Sequence, residues 1–213
     1  MHAFLGKLKE NNSKEWMDAH KQEYQTARLN FIDLVQDAIN RTALFDPNIA
    51  GEEAKRSIFR LNRDIRFSTN KDPYKTNFGG SISKGGRKVG NPGYYIHLMP
   101  GNNFIGGGLF KPLPDALKKV RQEIDYNAEE LRAILHSPKF SAIFQTPYDD
   151  KVATAPKGYA KDNPNIDLIR YKSFVYMRQL SDAQTTSTDF PEMIEETFRT
   201  LKPYLDFLRR ALD

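Results

Sequence analysis

The chain has no cysteine, which excludes disulfides, thiolate metal ligands and a cysteine nucleophile. Its four histidines, His2, His20, His97 and His136, lack the paired spacing of a metal site, and we predict neither a metal nor a cofactor. No apolar run approaches the roughly 18–20 residues that a membrane span requires. The segment 1–7 also lacks the apolar core of a signal peptide. We therefore expect a cytoplasmic protein with no membrane partner.

Familiar nucleotide and hydrolase motifs are also missing. Residues 80–87 have the glycine spacing of a phosphate loop but not its Lys-Ser/Thr ending, and they lie in a predicted hairpin. The run Gly106-Gly107-Gly108 lacks the spacing of a dinucleotide fingerprint, and it is more typical of a bulge or a close backbone approach. No serine stands in a nucleophile-elbow context. The sequence thus leaves open whether the chain is an enzyme.

What the sequence does contain is the pattern of one globular α+β domain covering residues 1–213. Its length, with 39% hydrophobic and 12% aromatic residues, suffices for a proper core. An apolar stripe predicts a long amphipathic helix over 16–39, and a second stripe over 194–212 predicts another, which Pro203 should kink or divide. Strands are predicted at 78–83, 94–99, 104–110 and 169–180, with three helices between the last two. The fold class is an antiparallel meander with packed helices.

Basic residues concentrate in residues 55–90, which we call the basic segment. It holds ten Lys or Arg and two Asp, so its charge is +8 while the rest of the chain sums to −3. Read as a strand, residues 57–68 place Arg60, Asn62, Asp64 and Arg66 on one face. This concentration indicates a local patch that attracts anions, and the alternative is a solvated basic hairpin.

A second basic group follows a polar loop at residues 147–164, the late loop. Lys157 and Tyr159 lie in this loop, and Arg170 and Lys172 open the last predicted strand on one face. We expect both basic groups to converge on one hollow, because Arg and Lys bind carboxylate or phosphate and Tyr can stack on a ligand. The predicted ligand-binding residues are Arg60, Asn62, Arg63, Arg66, Lys71, Tyr74, Lys75, Lys157, Tyr159, Arg170 and Lys172.

Candidates for proton transfer are few. His97 shares a strand face with Tyr95 and Met99, and a histidine beside the arginines could act as general acid or base near neutral pH. Asp64 is the second candidate, although its simplest role is to orient an arginine. The alternative for His97 is a structural sheet histidine.

Five sequence blocks resemble one family along essentially the whole chain. They are Asn-Asn-Ser-Lys-Glu-Trp (11–16), Phe-Arg-Leu-Asn-Arg-Asp-Ile-Arg-Phe-Ser (59–68), Lys-Asp-Pro-Tyr-Lys-Thr-Asn (71–77), Pro-Gly-Tyr-Tyr (92–95) and Ala-Pro-Lys-Gly-Tyr (155–159). They are similar to the uncharacterised family catalogued as domain of unknown function 2461. The resemblance implies no reaction, cofactor or catalytic residue, but its blocks coincide with the basic residues above.

Three functions fit these observations. The first is binding of a small anionic ligand bearing phosphate or carboxylate. The second is a structural ion network without a ligand, in which Arg63 is buried among apolar side chains and paired with an acid. The third is binding of single-stranded nucleic acid, with Phe67, Tyr74, Tyr94 or Tyr95 stacking on bases. The oligomeric state is not predictable from the sequence.

Overall fold

The computed structural model describes all residues from 1 to 213, and a four-stranded antiparallel sheet lies at its centre. The strands are β1 (Phe78–Ile82), β2 (Gly93–Leu98), β3 (Asn103–Leu109) and β4 (Phe174–Leu180), in the order β1-β2-β3-β4. Each strand pairs antiparallel with the next strand in the sequence. The predicted α+β meander is confirmed.

The N-terminal helices differ in detail from the prediction. They are α1 (His2–Glu10), α2 (Lys14–Ala19), α3 (Lys21–Ala43), a 3-10 turn at Pro47–Ile49, and α4 (Ala54–Ser57). The predicted long helix is divided at His20, whose ring stacks on Trp16 at 4.1 Å and whose Nδ1 lies 2.9 Å from the Trp16 carbonyl oxygen. The N-cap of α2 is Ser13, whose Oγ accepts a hydrogen bond from the Trp16 amide.

The remaining helices precede and follow β4 in the chain and complete the core. They are α5 (Pro114–Tyr126), α6 (Ala128–Leu135), α7 (Pro138–Ile143), α8 (Ile166–Ile169), α9 (Asp182–Thr186) and α10 (Phe190–Arg210). α10 continues through Pro203, so of the two expected effects of this proline, a kink or a division of the helix, the division does not occur. Helix packing on both sides of Pro203 explains this, because Leu201 and Leu205 are fully buried. None of these helices is both long and apolar enough to cross a bilayer.

One face of the sheet forms the core with α3 and α10. Phe31 and Val35 of α3 lie against Gly80, and Leu201 of α10 lies against Gly107. Between them Ile96 and the other inward-facing residues of the central strands are fully buried. Side chains on the opposite face of the central strands remain partly exposed, and we call this the open face.

The stretch at residues 57–68 is not a strand. α4 ends at Ser57, and beyond it only isolated bridges form, between Ile58 and Gly80 and between Asn62 and Tyr74. Burial alternates only over residues 60–66, and the outer positions of the expected apolar face are exposed, Phe59 by 39% and Phe67 by 96%. The reason is that no neighbouring strand continues the pairing, so the segment folds back on itself as a loop beside β1.

The last strand also begins later than predicted. Residues 166–169 form α8, and β4 starts only at Phe174. Arg170 and Lys172 therefore lie in the connection between α8 and β4, not on one face of a strand. Tertiary pairing explains the difference. The Val152 amide donates to the Arg170 carbonyl and the Lys172 amide donates to the Asp150 carbonyl, and these two hydrogen bonds tie the connection to the late loop.

Candidate functional site

The open face contains a cavity of about 470 Å³, which we call the pocket. The strand register explains where it lies. The row that crosses all four strands at the centre of the face consists of Ser81, Tyr95, Gly106 and Met177. The row on one side contains His97 and Phe104, and the row on the other side contains Gly93, Gly108 and Val175. Bulky side chains thus surround a patch of small ones.

Glycines form the floor of the pocket because side chains do not fit there. A Cβ atom at Gly106 would meet the Tyr176 carbonyl oxygen and would lie 2.9 Å from the Met177 Cα atom. At Gly108 the φ angle is +138°, and a Cβ atom would meet the Phe174 carbonyl oxygen. The close backbone approach predicted for this glycine run is confirmed. Its consequence is a hollow with bare backbone as its base.

One wall of the pocket consists of aromatic and neutral polar groups. The His97 ring is stacked on Phe104, with centroids 4.5 Å apart and planes 8° apart. Its Nδ1 lies 3.4 Å from the Tyr95 hydroxyl oxygen. Burial lowers the pKa of His97 to about 4 and raises the pKa of the Tyr95 phenol. Both groups are therefore uncharged at neutral pH, and each can donate or accept a hydrogen bond.

The mouth of the pocket has exposed aromatic rings on two sides. Phe110 and Tyr148 pack edge to face at 5.8 Å on the side of β4. Phe59 lies on the side of β1, where its ring is 6.3 Å from that of Tyr95. Phe59 is held there because its amide donates to the Gly79 carbonyl of β1.

Three cations gather at the Phe59 side, and we call Arg60, Lys75 and Arg87 the cationic rim. Lys75 Nζ and Arg87 Cζ lie 5.5 and 5.6 Å from the centre of the Phe59 ring. Burial and the positive charges of Arg60 and Arg87 lower the pKa of Lys75. No member of the rim forms an ion pair with a carboxylate, and the Arg87 guanidinium donates only to the Arg56 carbonyl.

Other predicted residues of the basic segment hold the loop together. Arg63 donates to the Asp72 carbonyl and to Ser68 Oγ, and Lys71 donates to the Ile65 carbonyl. Arg66 forms an exposed ion pair with Asp64 at 2.7 Å, which lowers the pKa of that carboxyl through a hydrogen bond. The Asn62–Tyr74 bridge closes the loop, and Asn12 of the N-terminal region fixes it through both backbone groups of Tyr74.

The second basic group lies at the other edge of the sheet. The late loop runs beside β4, where Pro147 bridges to Tyr176, whereas the basic segment runs beside β1. There the Arg170 guanidinium donates to the Val152 carbonyl, Lys172 pairs with Asp150 at 2.7 Å, and Lys157 is exposed. Burial raises the pKa of the Tyr159 phenol, and the negative charge of Asp125 in α5 raises it further.

The expected convergence of the two basic groups on one hollow is therefore wrong. Two strands separate β1 from β4, so the groups lie more than about 10 Å apart. From the late loop only Tyr148 reaches the pocket. Of the predicted site residues, His97 lines the pocket. Lys75 does not line it but lies over the ring of Phe59, which does, and Arg60 lies close to Lys75. Their binding roles, and those of the other listed residues, stay predictions.

Several pocket residues were not singled out by the sequence. Arg87 counted only toward the charge of the basic segment, and Ser81, Phe110 and Tyr148 carried no signal of their own. The glycine run of β3 was a usable signal, since three glycines inside a predicted strand indicate a surface without side chains. In the whole chain, no three His, Cys, Asp or Glu side chains are placed to hold a metal ion.

Fold and site together define an α+β protein with a pocket on the open face of a four-stranded meander. Comparison with known families assigns the chain more closely. Residues 1–207 match the family described as conserved hypothetical protein (DUF2461), and the chain belongs to this family, as its sequence blocks predicted. No curated protein and no solved structure matches the chain.

Proposed function

We propose that this protein binds a small molecule that has an anionic group and an apolar or aromatic body. The body would occupy the pocket, and the anion would lie at the cationic rim. The observation that supports this most is the position of the rim, where Arg60, Lys75 and Arg87 stand without carboxylate partners beside an apolar hollow. A cytoplasmic location, expected from the sequence, is part of this proposal.

Electrostatics favours an anion at this position. Burial lowers the pKa of Lys75 most, and the positive charges of Arg60 and Arg87 lower it further, because like charges close together destabilise one another. A phosphate or carboxylate placed between them would remove this repulsion and raise that pKa. Arginine is suited to the task because its planar guanidinium can donate two parallel hydrogen bonds to either group.

A structural ion network has less support. Of the ten basic residues in the basic segment, only Arg66 forms an ion pair, and that pair is exposed. Arg63, the centre of that alternative, donates to a backbone carbonyl and a serine hydroxyl instead of an acid. We propose no catalytic role for His97, because an imidazole with a pKa of about 4 is a weak base at neutral pH. We propose none for Asp64 either, because its carboxylate is paired with Arg66.

The proposal can be tested with two fluorescent probes of similar shape. Anilinonaphthalene sulfonate has an aromatic body and an anionic group, and phenylnaphthylamine has the body alone. We expect the sulfonate to bind more tightly, and Arg87→Met to weaken its binding about tenfold or more, since a charged hydrogen bond contributes about 1.5–3 kcal/mol. Binding of the neutral probe should change little.

Lys55→Met is the matched control, because Lys55 belongs to the same segment, is exposed and does not line the pocket. It removes the same unit of charge from the protein. Thermal melts of each variant should show unchanged folding. If Lys55→Met and Arg87→Met weaken sulfonate binding equally, only the general charge matters and the proposed site is refuted.

A further inference from the structure

We infer that the ligand of the pocket is a planar heteroaromatic ring bearing a phosphate group, as in a mononucleotide. This inference rests on the proposed function and narrows its ligand class. It depends on three features of the pocket, which are its glycine floor, its unpaired polar groups and the charge of its rim.

The glycine floor accepts the face of a flat ring. At Gly106 and Gly108 the backbone of β3 is bare, and Gly93 beside them adds a third position without a side chain. The stacked pair of His97 and Phe104 stands at one border of this floor. A cavity of 470 Å³ lies within the range of about 300–1,000 Å³ that small-molecule sites occupy. A flat ring is the body that fits a bare sheet surface between aromatic walls.

Polar atoms at the border of the floor fit the edge of a heteroaromatic ring. Ser81 stands directly across from Tyr95 in the register, and both line the pocket. The Tyr95 hydroxyl lies over Gly79, and its one hydrogen-bond partner is His97 Nδ1, at 3.4 Å. A hydrocarbon ring would leave these groups unpaired as it excluded water, which is costly, whereas ring nitrogens and exocyclic groups can bond to them. The neutral imidazole adds its second ring nitrogen, Nε2, since Nδ1 already faces the Tyr95 hydroxyl.

The rim matches a phosphate better than a group with a single charge. Lys75 and Arg87 flank Phe59, and the charge of Arg60 acts on Lys75 as well. Lys75 and Arg87 have no acidic partner, and Arg60 has nearby only Asp64, which is already paired with Arg66, so the three cations are suited to a dianion. Because Phe59 and Arg87 both line the pocket, a phosphate at the rim would be joined to a ring on the glycine floor by a short linker.

Calorimetric titration of the whole protein tests the inference with defined probes. The four ribonucleoside monophosphates carry ring, sugar and phosphate. Adenosine carries ring and sugar without phosphate, ribose phosphate carries sugar and phosphate without the ring, and inorganic phosphate is the anion alone. We expect at least one monophosphate to bind at least tenfold more tightly than any of the three fragments. Arg87→Met should weaken that binding at least tenfold, and Lys55→Met should leave it within twofold.

A second variant tests the floor. Val175→Trp adds a large side chain from a partly exposed position of the pocket and removes no polar group. It should abolish nucleotide binding while the melting temperature and the circular dichroism spectrum remain those of the unaltered protein. Unchanged nucleotide binding in this variant would overturn the placement of the ring.

The outcomes separate this inference from the proposed function. If anilinonaphthalene sulfonate binds and depends on Arg87 but no monophosphate exceeds ribose phosphate, the ligand class is wrong and the anion site stands. If neither the sulfonate nor any monophosphate binds, both fail. If oligonucleotides bind with an affinity that rises with their length while monophosphates do not bind, the inference is overturned in favour of single-stranded nucleic acid.

Discussion

Replacing Arg209 with methionine should destabilise the protein strongly, because Arg209 neutralises a buried carboxylate beneath the pocket. Asp46 is fully buried, and its Oδ2 lies 2.9 Å from Arg209 Nη1. The Tyr94 hydroxyl donates to the same oxygen at 2.8 Å, and Asn48 donates to the other oxygen through two groups. Tyr94 belongs to β2, so this network also ties the pocket's strand to α10.

The size of the effect follows from burial. Burial alone would raise the pKa of Asp46, but the Tyr94 hydrogen bond and the Arg209 charge hold it below its usual value. Removing one partner of a buried ion pair costs about 3–5 kcal/mol. In a chain of this length each kcal/mol corresponds to about 2–4 °C, so Arg209→Met should lower the melting temperature by about 6–20 °C.

The loss should also depend on pH. Because the folded pKa of Asp46 is depressed, its stabilising effect is present above the unfolded value near 3.8 and disappears as the pH falls through the folded value. Without Arg209 the burial of Asp46 would prevail and raise that pKa. The free-energy difference between the unaltered protein and Arg209→Met should therefore be largest near pH 7 and should shrink toward pH 3.

Urea unfolding monitored by circular dichroism measures these free energies. Arg210→Met is the matched control, because Arg210 pairs with Glu123 and Glu130 on the surface and its side chain is 49% exposed. We expect it to cost less than about 1 kcal/mol. The double variant that combines Arg209→Met with Asp46→Asn should lose less free energy of unfolding than the single variant Arg209→Met. If Arg209→Met and Arg210→Met both lower the free energy of unfolding by the same small amount, the reasoning is refuted.

Three further predictions concern the loop, the floor and the wall of the pocket. Asn12→Ala removes two hydrogen bonds to Tyr74, so amide exchange at Tyr74 should accelerate and stability should fall by about 1–3 kcal/mol; unchanged exchange would contradict this. Gly106→Ala forces a Cβ atom into the β4 backbone and should lower the melting temperature, whereas Gly6→Ala, in the open on α1, should raise it slightly. The unfolded chain takes up a proton at His97 near pH 6.5, and the folded chain does so only near pH 4. The free energy of unfolding should therefore fall as the pH drops between these values, and His97→Phe should flatten that part of the stability–pH profile.

Much of the fold could be predicted because its signals are local. The apolar stripe over 194–212 predicts a helix whatever it packs against, and the turn residues Pro100 and Gly101 mark the end of β2 in any context. The predicted ends of helices and strands were wrong where local signals conflict with contacts made elsewhere in the structure. His20 fits the helical stripe, yet its ring stacks back on Trp16 and ends α2.

The site was harder to predict because residues distant in the chain compose it. Its central row joins Ser81, Tyr95, Gly106 and Met177, which only the strand register brings side by side. Alternation within residues 57–68 indicated a strand, but a strand requires a partner, and beside β1 this segment finds only two isolated bridges.

By itself the sequence determined the α+β class and the four strands of the meander, the absence of thiol chemistry and the concentration of positive charge before β2. Composition and periodicity suffice for these because they depend on neighbours in the chain. Only the tertiary structure decided which cations stand together, since Lys75 and Arg87 meet around Phe59 with Arg60 close to Lys75, whereas Lys157 and Arg170 lie at the opposite edge of the sheet. Charge is a property of the sequence, but the distance between charges depends on how the sheet orders its strands.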